Sequence, residues 1–550
     1  MPGTTLRGML VDIPARRIRK AELLILDGLI ADIRETSGPV EGFILPGFID
    51  AHVHVESSML IPSAFARLAV VHGTVATVSD PHEIANVLGE AGVDHMLNDG
   101  ARTPFHFFFG APSCVPATVF ETAGARLDSD AVGRLLERPG IRYLSEVMDF
   151  PGVINGDPEV MRKLEHARRL GKPIDGHAPG LRGEAAERYI RAGLGPGMVG
   201  ISTDHECFSL EEALDKLGHG MRISIREGSA AKNLEALMPL LSSHTDRVML
   251  CTDDMHPDRL VKGHLNDLCA RCVEGGIDVF DVLQAACVNP VLHYGLPVGQ
   301  LRVGDPADLI VVDDLERFRV RRTWLSGSEV ARHGESLIVP AEAPADMDPH
   351  PNHFNCSPKR TADFEVSALQ SEVLAIEALD GQLITHKRHM RGTERRGLLV
   401  ADPQRDLLKI AVADRYHDGP VATGWTTGFG MKRGAIASSV AHDSHNIVAV
   451  GTNDEDLCMA VNAVIADRGG VSLVHGRDVR TLPLPVAGIM TDADPWRVAQ
   501  DYADLDQAAK AMGSTLTAPF MTLSFMALLV IPHLKMSDRG LFDGDAFRLL

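Results

Sequence analysis

The chain has little positive charge for its length. Its 550 residues include 54 Lys and Arg against 74 Asp and Glu, a formal net charge of -20 at pH 7. Proteins that bind nucleic acid or anionic lipid concentrate Lys and Arg on one surface. The deficit argues against both partners. We therefore expect a small-molecule ligand, no nucleic acid and no membrane.

Long apolar runs are also missing. The amino-terminal segment reaches Arg16 and Arg17 without an apolar stretch of signal-peptide length, so we expect a cytoplasmic protein. The longest late run, Met521 to Pro532, falls short of the roughly 20 residues that a membrane helix needs. We expect that run to be buried.

Cysteine is sparse and scattered. The 8 cysteines lack the repeated close spacing of a disulfide framework. One close pair, Cys269 and Cys272, has no second pair that could complete a structural zinc site. We predict buried thiols, since free cysteine is among the most buried residue types.

Short β-branched or aromatic runs alternate with helical patterns through the first half of the chain, which is typical of repeated βα units. Eight such units predict a closed parallel barrel whose functional groups lie at the carboxyl ends of the strands. The predicted strands are 48–54, 74–80, 105–111, 141–148, 173–177, 199–205, 221–227 and 248–253.

Two β-rich pieces flank these units, and a Pro-rich stretch without periodicity follows the second piece. We predict an α/β fold, a (β/α)8 TIM-like barrel with a composite small β domain and an additional C-terminal α+β domain. The predicted boundaries are 1–45 and 297–340 for a composite β-sandwich-like domain, 46–296 for the barrel, 341–360 for a linker and 361–550 for the C-terminal domain.

His52 and His54 end the first predicted strand. Residues two apart on a strand point the same way, so two imidazoles can grip one cation. Residues of ligand type also end four other predicted strands, and barrel strand ends meet at one mouth. The sequence therefore predicts a metal centre. The further candidates are Glu146, His177, His205 and Asp253.

The ligand order predicts two divalent cations. The first and eighth strands are neighbours in a closed barrel, so Asp253 joins His52 and His54 at the first cation. His177 and His205 bind the second, with Glu146 as the bridge. Carboxylate and imidazole ligands without thiolate suit Mn or Fe, with Zn as a third option. Asp253 can also carry a proton, whereas Asp254 faces away if the strand continues.

Several longer phrases resemble the adenine deaminase family of the amidohydrolase superfamily, and the likeness covers nearly the whole chain. They are His-Val-His-Val-Glu-Ser-Ser-Met at 52–59, Ser-Asp-Pro-His-Glu-Ile-Ala-Asn-Val at 79–87, Ile-Arg-Glu-Gly-Ser-Ala at 225–230, Ala-His-Asp-Ser-His-Asn-Ile at 441–447 and Leu-Ser-Phe at 523–525.

The resemblance implies hydrolysis of adenine to hypoxanthine and ammonia through a metal-bound hydroxide that attacks purine C6. Attack builds negative charge on the ring nitrogens, and Glu83 is our first candidate for the group that supplies a proton there. Arg226 and Glu227 come next, as substrate contacts. His82 is predicted to be a substrate contact or a further metal ligand.

The cluster His442, Asp443 and His445 is predicted to bind substrate as part of a lid over the barrel mouth. A separate metal site and a plain turn whose side chains bond their own backbone are the alternatives.

Rival functions are a deaminase of N6-substituted adenine, an amidohydrolase that opens a cyclic amide, and a binding protein without activity. The amide-opening enzymes more often use a carbamylated lysine, so Glu146 counts against that rival. The complete ligand set counts against a protein without activity. A homodimer is expected from the general frequency of such assemblies.

Overall fold

The structure is a computed structural model and describes residues 3–340 and 348–550. Residues 341–347 of the predicted linker, and residues 1 and 2, lie outside the described residues. Within the described ranges, no helix combines the length and the apolar character needed to cross a membrane.

The chain begins with four strands of a twisted sheet. Strands β1 and β2 pair antiparallel from Thr4 opposite Ile25 to Asp12 opposite Arg17. Alternate side chains such as Leu6 and Leu23 enter a small core beneath this sheet. The strands are β1 (Thr4–Asp12), β2 (Arg17–Leu26), β3 (Leu29–Glu35) and β4 (Phe43–Pro46).

Eight parallel strands follow and form the barrel. The first and last meet through two backbone hydrogen bonds, His54 N to Asp253 O at 3.0 Å and Asp253 N to His52 O at 2.9 Å. These bonds close the ring where three predicted ligands lie. The strands are β5 (Phe48–Val53), β6 (Thr74–Ser79), β7 (His106–Ala111), β8 (Ile141–Val147), β9 (Ile174–Gly176), β10 (Thr203–Asp204), β11 (Arg222–Arg226) and β12 (Val248–Cys251).

Helices cover the outside of the barrel. The sequence over 83–99 has a continuous helical pattern, but it forms two helices, because the backbone at Gly89 turns to φ +64° and ends α2. The helices are α1 (Pro62–Ala69), α2 (His82–Leu88), α3 (Glu90–Gly100), α4 (Ser129–Glu137), α5 (Phe150–Asn155), α6 (Pro158–Arg169), α7 (Gly183–Arg191), α8 (Leu210–Gly218), α9 (Leu234–Leu237), α10 (Leu240–Ser243), α11 (Pro257–Leu260), α12 (Leu265–Glu274), α13 (Val279–Leu283) and α14 (Asn289–Tyr294).

After the barrel the chain returns to the first sheet. Strand β13 (Leu309–Val312) pairs antiparallel with β4, and β14 (Val320–Leu325), β15 (Ser328–Arg332) and β16 (Glu335–Ser336) extend the sheet. Both flanking pieces thus build one eight-stranded sheet, with Trp324 in its core. The domain boundaries themselves stay a prediction.

The C-terminal region is built on an eight-stranded sheet that is antiparallel except for the pair β18 (Glu372–Glu377) and β23 (Val421–Thr427). Helix α15 (Asp454–Ala466) packs on one face, where Leu457 and Val461 meet Ala437 and Ala449. Helices α16 (Pro495–Ala511) and α17 (Pro519–Phe525) follow.

The strands of this region form the large sheet and two small ones. They are β17 (Val366–Ser367), β18 (Glu372–Glu377), β19 (His386–Arg391), β20 (Thr393–Arg395), β21 (Leu398–Val400), β22 (Leu408–Ala413), β23 (Val421–Thr427), β24 (Ala435–Ser438), β25 (Ile447–Gly451), β26 (Gly470–His475), β27 (Asp478–Pro483), β28 (Leu534–Ser537), β29 (Gly540–Asp543) and β30 (Arg548–Leu549).

The predicted fold class is confirmed: a parallel eight-stranded barrel, a flanking β sheet and a C-terminal sheet-rich domain. The apolar run that begins at Met521 lies largely in the core, as expected. All 8 cysteines are free and buried, which confirms that prediction.

Candidate metal centre

The end of β5 brings His52 and His54 together. Their Nε2 atoms lie 3.3 Å apart and at 3.4 Å and 3.2 Å, respectively, from Asp253 Oδ1. Asp253 has φ +56°, a left-handed conformation that only a few per cent of non-glycine residues adopt, Asp more often than most. The structure therefore brings together the three side chains predicted for the first cation.

Glu146, at the end of β8, lies between the two predicted cation positions. Its Oε1 is 3.4 Å from His54 Nε2, whereas its Oε2 is 2.7 Å from His177 Nδ1 and 3.3 Å from His205 Nε2. One carboxylate thus faces both groups of imidazoles. All six predicted ligands converge, each no more than 5% exposed.

The spacing of these donors fits cations. Ligands that bind one metal at about 2.0–2.2 Å lie roughly 3.0–3.5 Å from each other in tetrahedral or octahedral geometry. The contacts of His52 and His54 with Asp253, and of His54 and His205 with Glu146, fall between 3.2 and 3.4 Å. Two imidazole nitrogens that face each other at 3.3 Å can also share at most one proton. The donor set and its spacing therefore fit divalent metal.

The two carboxylates of the centre are ionised. Burial raises the pKa of Glu146, but the imidazoles of His177, His205 and His54 outweigh it and hold that pKa well below its usual range. Burial likewise raises the pKa of Asp253, which Arg226 and the neighbouring histidines bring well below the ordinary value. Two buried negative charges among imidazole nitrogens attract cations.

Arg226 lies at the end of β11 and supports this centre. Its Nη1 donates to Asp253 Oδ2 at 2.7 Å, and its guanidinium binds both oxygens of Glu206, with Nη2 to Oε2 at 2.9 Å. Arg226 lines the cavity, as a substrate contact must, but its polar contacts are to protein carboxylates. Glu227 follows it and points elsewhere, with Oε1 2.6 Å from Arg271 Nη1.

Glu206 and Asp254 also line the cavity. Each directly follows a predicted ligand, so in a continuing strand its side chain would point to the opposite face. Glu206 follows His205, and its Oε1 lies 3.4 Å from His205 Nε2. Strand β10 ends at Asp204 and β12 ends at Cys251, so period-two alternation no longer applies at either residue. The prediction that Asp254 faces away assumed a continuing strand.

Glu83, in the first turn of α2, is held by the C-terminal domain. Its Oε1 pairs with His442 Nδ1 and its Oε2 pairs with His445 Nε2. Burial raises the pKa of Glu83, but His442, His445 and His82 lower it well below the usual value. Burial lowers the pKa of His442, yet Glu83 and Asp254 raise it to about 9.

His82 contacts both halves of the site. Its Nδ1 lies 3.2 Å from Asp80 Oδ2 and 3.4 Å from Glu146 Oε1, and its Nε2 lies 3.5 Å from both Glu83 Oε1 and Asp443 Oδ1. His82, Glu83 and Asp443 are close enough to hold a cation. The segment that contains Asp443 covers the barrel mouth, where the lid interpretation places it.

A cavity lies between the barrel and the C-terminal domain, at the ligand side chains described above. Three apolar side chains line it beside the charged groups: Met148 after β8, and Leu383 and Leu528 from the C-terminal domain. The sequence gives no sign of this role at any of the three positions, because an apolar residue in a wall has the same sequence signal as one in a core.

Comparison with known proteins agrees with the fold. The amidohydrolase family model matches residues 43–330, so the chain is a member of that family of hydrolases. The model of the adenine deaminase C-terminal domain matches residues 382–548.

Curated relatives narrow the family. Proteins named adenine deaminase are 53% identical in Salinibacter ruber (100% of this chain, 99% of the relative) and 53% identical in Sulfurovum sp. (98% of both). One from Borreliella burgdorferi is 46% identical (98% of this chain, 97% of the relative). The chain therefore belongs to the adenine deaminase family, which confirms the predicted resemblance.

Proposed function

We propose that this chain hydrolyses adenine to hypoxanthine and ammonia in the cavity between the barrel and the C-terminal domain. Relatives that match nearly its full length are named for that activity. The observation that carries the proposal is the convergence of six predicted ligand side chains. They lie beneath a C-terminal domain that matches the adenine deaminase C-terminal domain. The enzyme is a hydrolase that acts on a cyclic amidine C–N bond.

Two divalent cations would be held by the centre, the first by His52, His54 and Asp253, and the second by His177 and His205. Glu146 would bridge them. When bound, such a pair supplies positive charge that acidifies water and makes it a nucleophile at neutral pH. Mn or Fe suits these ligands, and Zn is the third option.

Asp253 is the proposed proton carrier. Deamination requires the attacking water to lose a proton and the departing amine to gain one. The low pKa of Asp253 means that it begins as a carboxylate, and Arg226 fixes one of its oxygens at 2.7 Å. The other oxygen, Oδ1, faces His52 and His54. It would contact the first cation with one lone pair and accept the proton of the attacking water with the other.

Glu83 and His442 are proposed to act as one acid for the purine ring. Attack at C6 places negative charge on the ring nitrogens, which a nearby proton donor stabilises. The depressed pKa of Glu83 and the pKa of about 9 for His442 place the proton on the imidazole at neutral pH. Glu83 faces the cavity and can pass that proton inward, while His445 holds its second oxygen.

The apolar walls are proposed to hold the flat purine. Met148, Leu383 and Leu528 offer hydrophobic surface beside the polar groups, the combination found in small-molecule sites. Exclusion of water by these walls strengthens the polar contacts made by Glu83 and Asp443.

Substrate loss and product formation, followed by chromatography over a panel of adenine, 6-methyladenine, adenosine, guanine, cytosine and hydantoin, test this function. Adenine should yield hypoxanthine and ammonia, whereas 6-methyladenine would yield methylamine and hydantoin would open without releasing an amine. We expect adenine to be the preferred substrate after reconstitution with Mn²⁺ or Fe²⁺, and little turnover after metal is stripped. A preference for 6-methyladenine or hydantoin would contradict the proposed substrate and support the corresponding rival function. Full activity without metal would contradict the metal centre. The homodimer and the cytoplasmic location stay predictions.

A further inference from the structure

Lys216 is a buried lysine outside the set of residues assigned so far. It lies on α8 and is 1% exposed. Its Nζ donates to Ala178 O at 2.7 Å, to Asp204 Oδ2 at 2.6 Å and to Glu212 Oε1 at 2.7 Å. Because an ammonium has three N–H groups, every donor of Lys216 has a partner.

The partners of Lys216 lie next to two predicted metal ligands. Ala178 follows His177, and Asp204 precedes His205. Glu212 ties the same loops further, since its Oε1 accepts Gly180 N at 2.9 Å and its Oε2 accepts Phe208 N at 3.2 Å. One ammonium and one carboxylate therefore join the segments after β9 and β10.

The strands on this side of the barrel are short. Strand β9 has 3 residues and β10 has 2, whereas β5, which leads to His52 and His54, has 6. The first pair of histidines is also held by the backbone bonds that close the barrel next to Asp253. The strands that lead to His177 and His205 therefore hold these residues through fewer paired residues than β5 provides for His52 and His54.

Lys216 keeps its charge in this position. Burial lowers the pKa of Lys216, but the carboxylates of Asp204 and Glu212 outweigh it and raise that pKa overall. A buried charge that is paired and fully hydrogen-bonded is a rigid connection, because breaking any of its bonds leaves an unsatisfied group.

We propose that Lys216 is a positioning residue that presets His177 and His205 for the second of two cations. The proposal rests on the dinuclear centre proposed above. Groups that hydrogen-bond metal ligands typically control metal affinity by about 10- to 100-fold. Lys216 acts one step further out, on the residues next to His177 and His205 in the chain. Lys216 contacts neither the substrate cavity nor the first cation's ligands, so its influence falls on one cation and not on the other.

The test is the number and affinity of cations bound by Lys216→Met. Metal-free full-length protein is titrated with Mn²⁺, and bound Mn²⁺ per chain is measured by equilibrium dialysis. We expect the wild type to bind two. The variant should bind one with unchanged affinity and the second about 10- to 100-fold more weakly. Two cations bound as in the wild type, or both weakened equally, would overturn the role of Lys216.

Lys409→Met is the matched control. Lys409 is also fully buried, and its Nζ donates to Phe364 O at 2.9 Å and to Asp454 Oδ1 at 2.6 Å in the C-terminal domain. Its loss removes a buried ammonium far from the loops of His177 and His205. Both cations should bind as in the wild type, and a selective loss of one there would overturn the proposal.

A second variant decides the question if Lys216→Met does not fold. Glu212→Gln keeps the side-chain shape but turns an amide N–H against Phe208 N–H or against the donors of Gly180 and Lys216. The second cation should bind roughly tenfold more weakly, and unchanged binding would contradict the proposal. A wild type that binds only one cation would end this inference and the dinuclear centre together.

Discussion

The barrel and the C-terminal domain meet at one cavity, and they contribute side chains to it from different kinds of structure. The barrel places its ligands at strand ends, where the backbone hydrogen bonds of a closed sheet hold them. The C-terminal domain supplies side chains from loops, with His442 and His445 on Glu83 and Leu528 in the wall. The strand ends form a rigid cluster, and the loops form a cover that completes it.

This difference separates two tasks. The barrel side chains are of the type that holds metal, and in the proposed centre they would serve hydrolysis whatever the substrate. The cover surrounds Glu83 and closes the space that a purine must occupy. We infer that the barrel sets the class of reaction and that the cover sets the acid and the shape of the substrate.

The largest effect is expected from Glu146→Gln and Asp253→Asn, which change the ligands that the barrel contributes. Each removes a buried carboxylate that lies within 3.4 Å of imidazole nitrogens. We expect adenine turnover to fall by roughly 10³- to 10⁴-fold, with less metal bound and the circular dichroism unchanged. Glu372→Gln, at an exposed position, is the control and should match the wild type. Near-normal turnover in either variant would show that the centre is assigned to the wrong residues.

The next largest effect is expected from Glu83→Gln, which removes the barrel carboxylate that His442 and His445 of the cover contact. The amide cannot carry the proton, so we expect turnover to fall by roughly 10²- to 10³-fold. Both cations should remain bound, because the proposed ligands do not include Glu83. Metal content per chain and ammonia release are measured on the same sample. A loss of metal equal to that in Glu146→Gln would place Glu83 among the ligands and remove the division of tasks.

Most of the barrel could be predicted from sequence. Seven of its eight strands begin and end within about two residues of the predicted bounds, because short runs of β-branched and aromatic residues between turn signals are typical of buried strands. The strand predicted over 199–205 begins four residues late, at Thr203. Val199 fits a strand by residue type, but it is 39% exposed in a glycine-rich turn.

The cover could be predicted only in part. The pair Glu83 and His442 is separated by 359 residues, and no local pattern encodes a contact of that range. The two histidines stand out in the sequence because they flank Asp443 and Ser444 in one short phrase, but nothing there indicates their partner. Leu383 and Leu528 give no signal at all, since an apolar wall and an apolar core have the same composition.

The pH dependence of the cover sharpens the comparison further. The pKa of His442 is raised from the ordinary 6.5 to about 9, so its proton is present at neutral pH and is lost as the pH rises through about 9. We expect kcat/KM to fall roughly tenfold per pH unit above that value. In His442→Gln this fall of kcat/KM at alkaline pH should disappear or shift to another pH. An unchanged fall would mean that a group other than His442 causes it.

The same raised pKa has a consequence for stability. Since the folded protein binds this proton more tightly than the unfolded chain does, the contribution of the pair is fully present below pH 6.5. It is lost as the pH rises through about 9. Denaturant unfolding at pH 6 and pH 10 should show a smaller pH difference in His442→Gln than in the wild type.

The smallest effect is expected from substitutions in the apolar walls of the cavity. They test whether the cover or the barrel sets substrate preference. Leu528→Ala enlarges the cavity from the C-terminal side without touching a proposed ligand or Glu83. One hydrophobic contact in a pocket typically changes discrimination by about tenfold. We expect the rate on 6-methyladenine relative to adenine to rise by roughly 3- to 10-fold, with metal content unchanged.

Leu369→Ala, in the same domain but 89% exposed, should leave that ratio as it is. Met148→Ala removes a wall residue that follows a barrel strand and provides the matched comparison. If the cover sets substrate shape, the ratio should change more in Leu528→Ala than in Met148→Ala. Equal changes would mean that the two walls recognise the purine jointly, and a change only in Met148→Ala would assign substrate shape to the barrel.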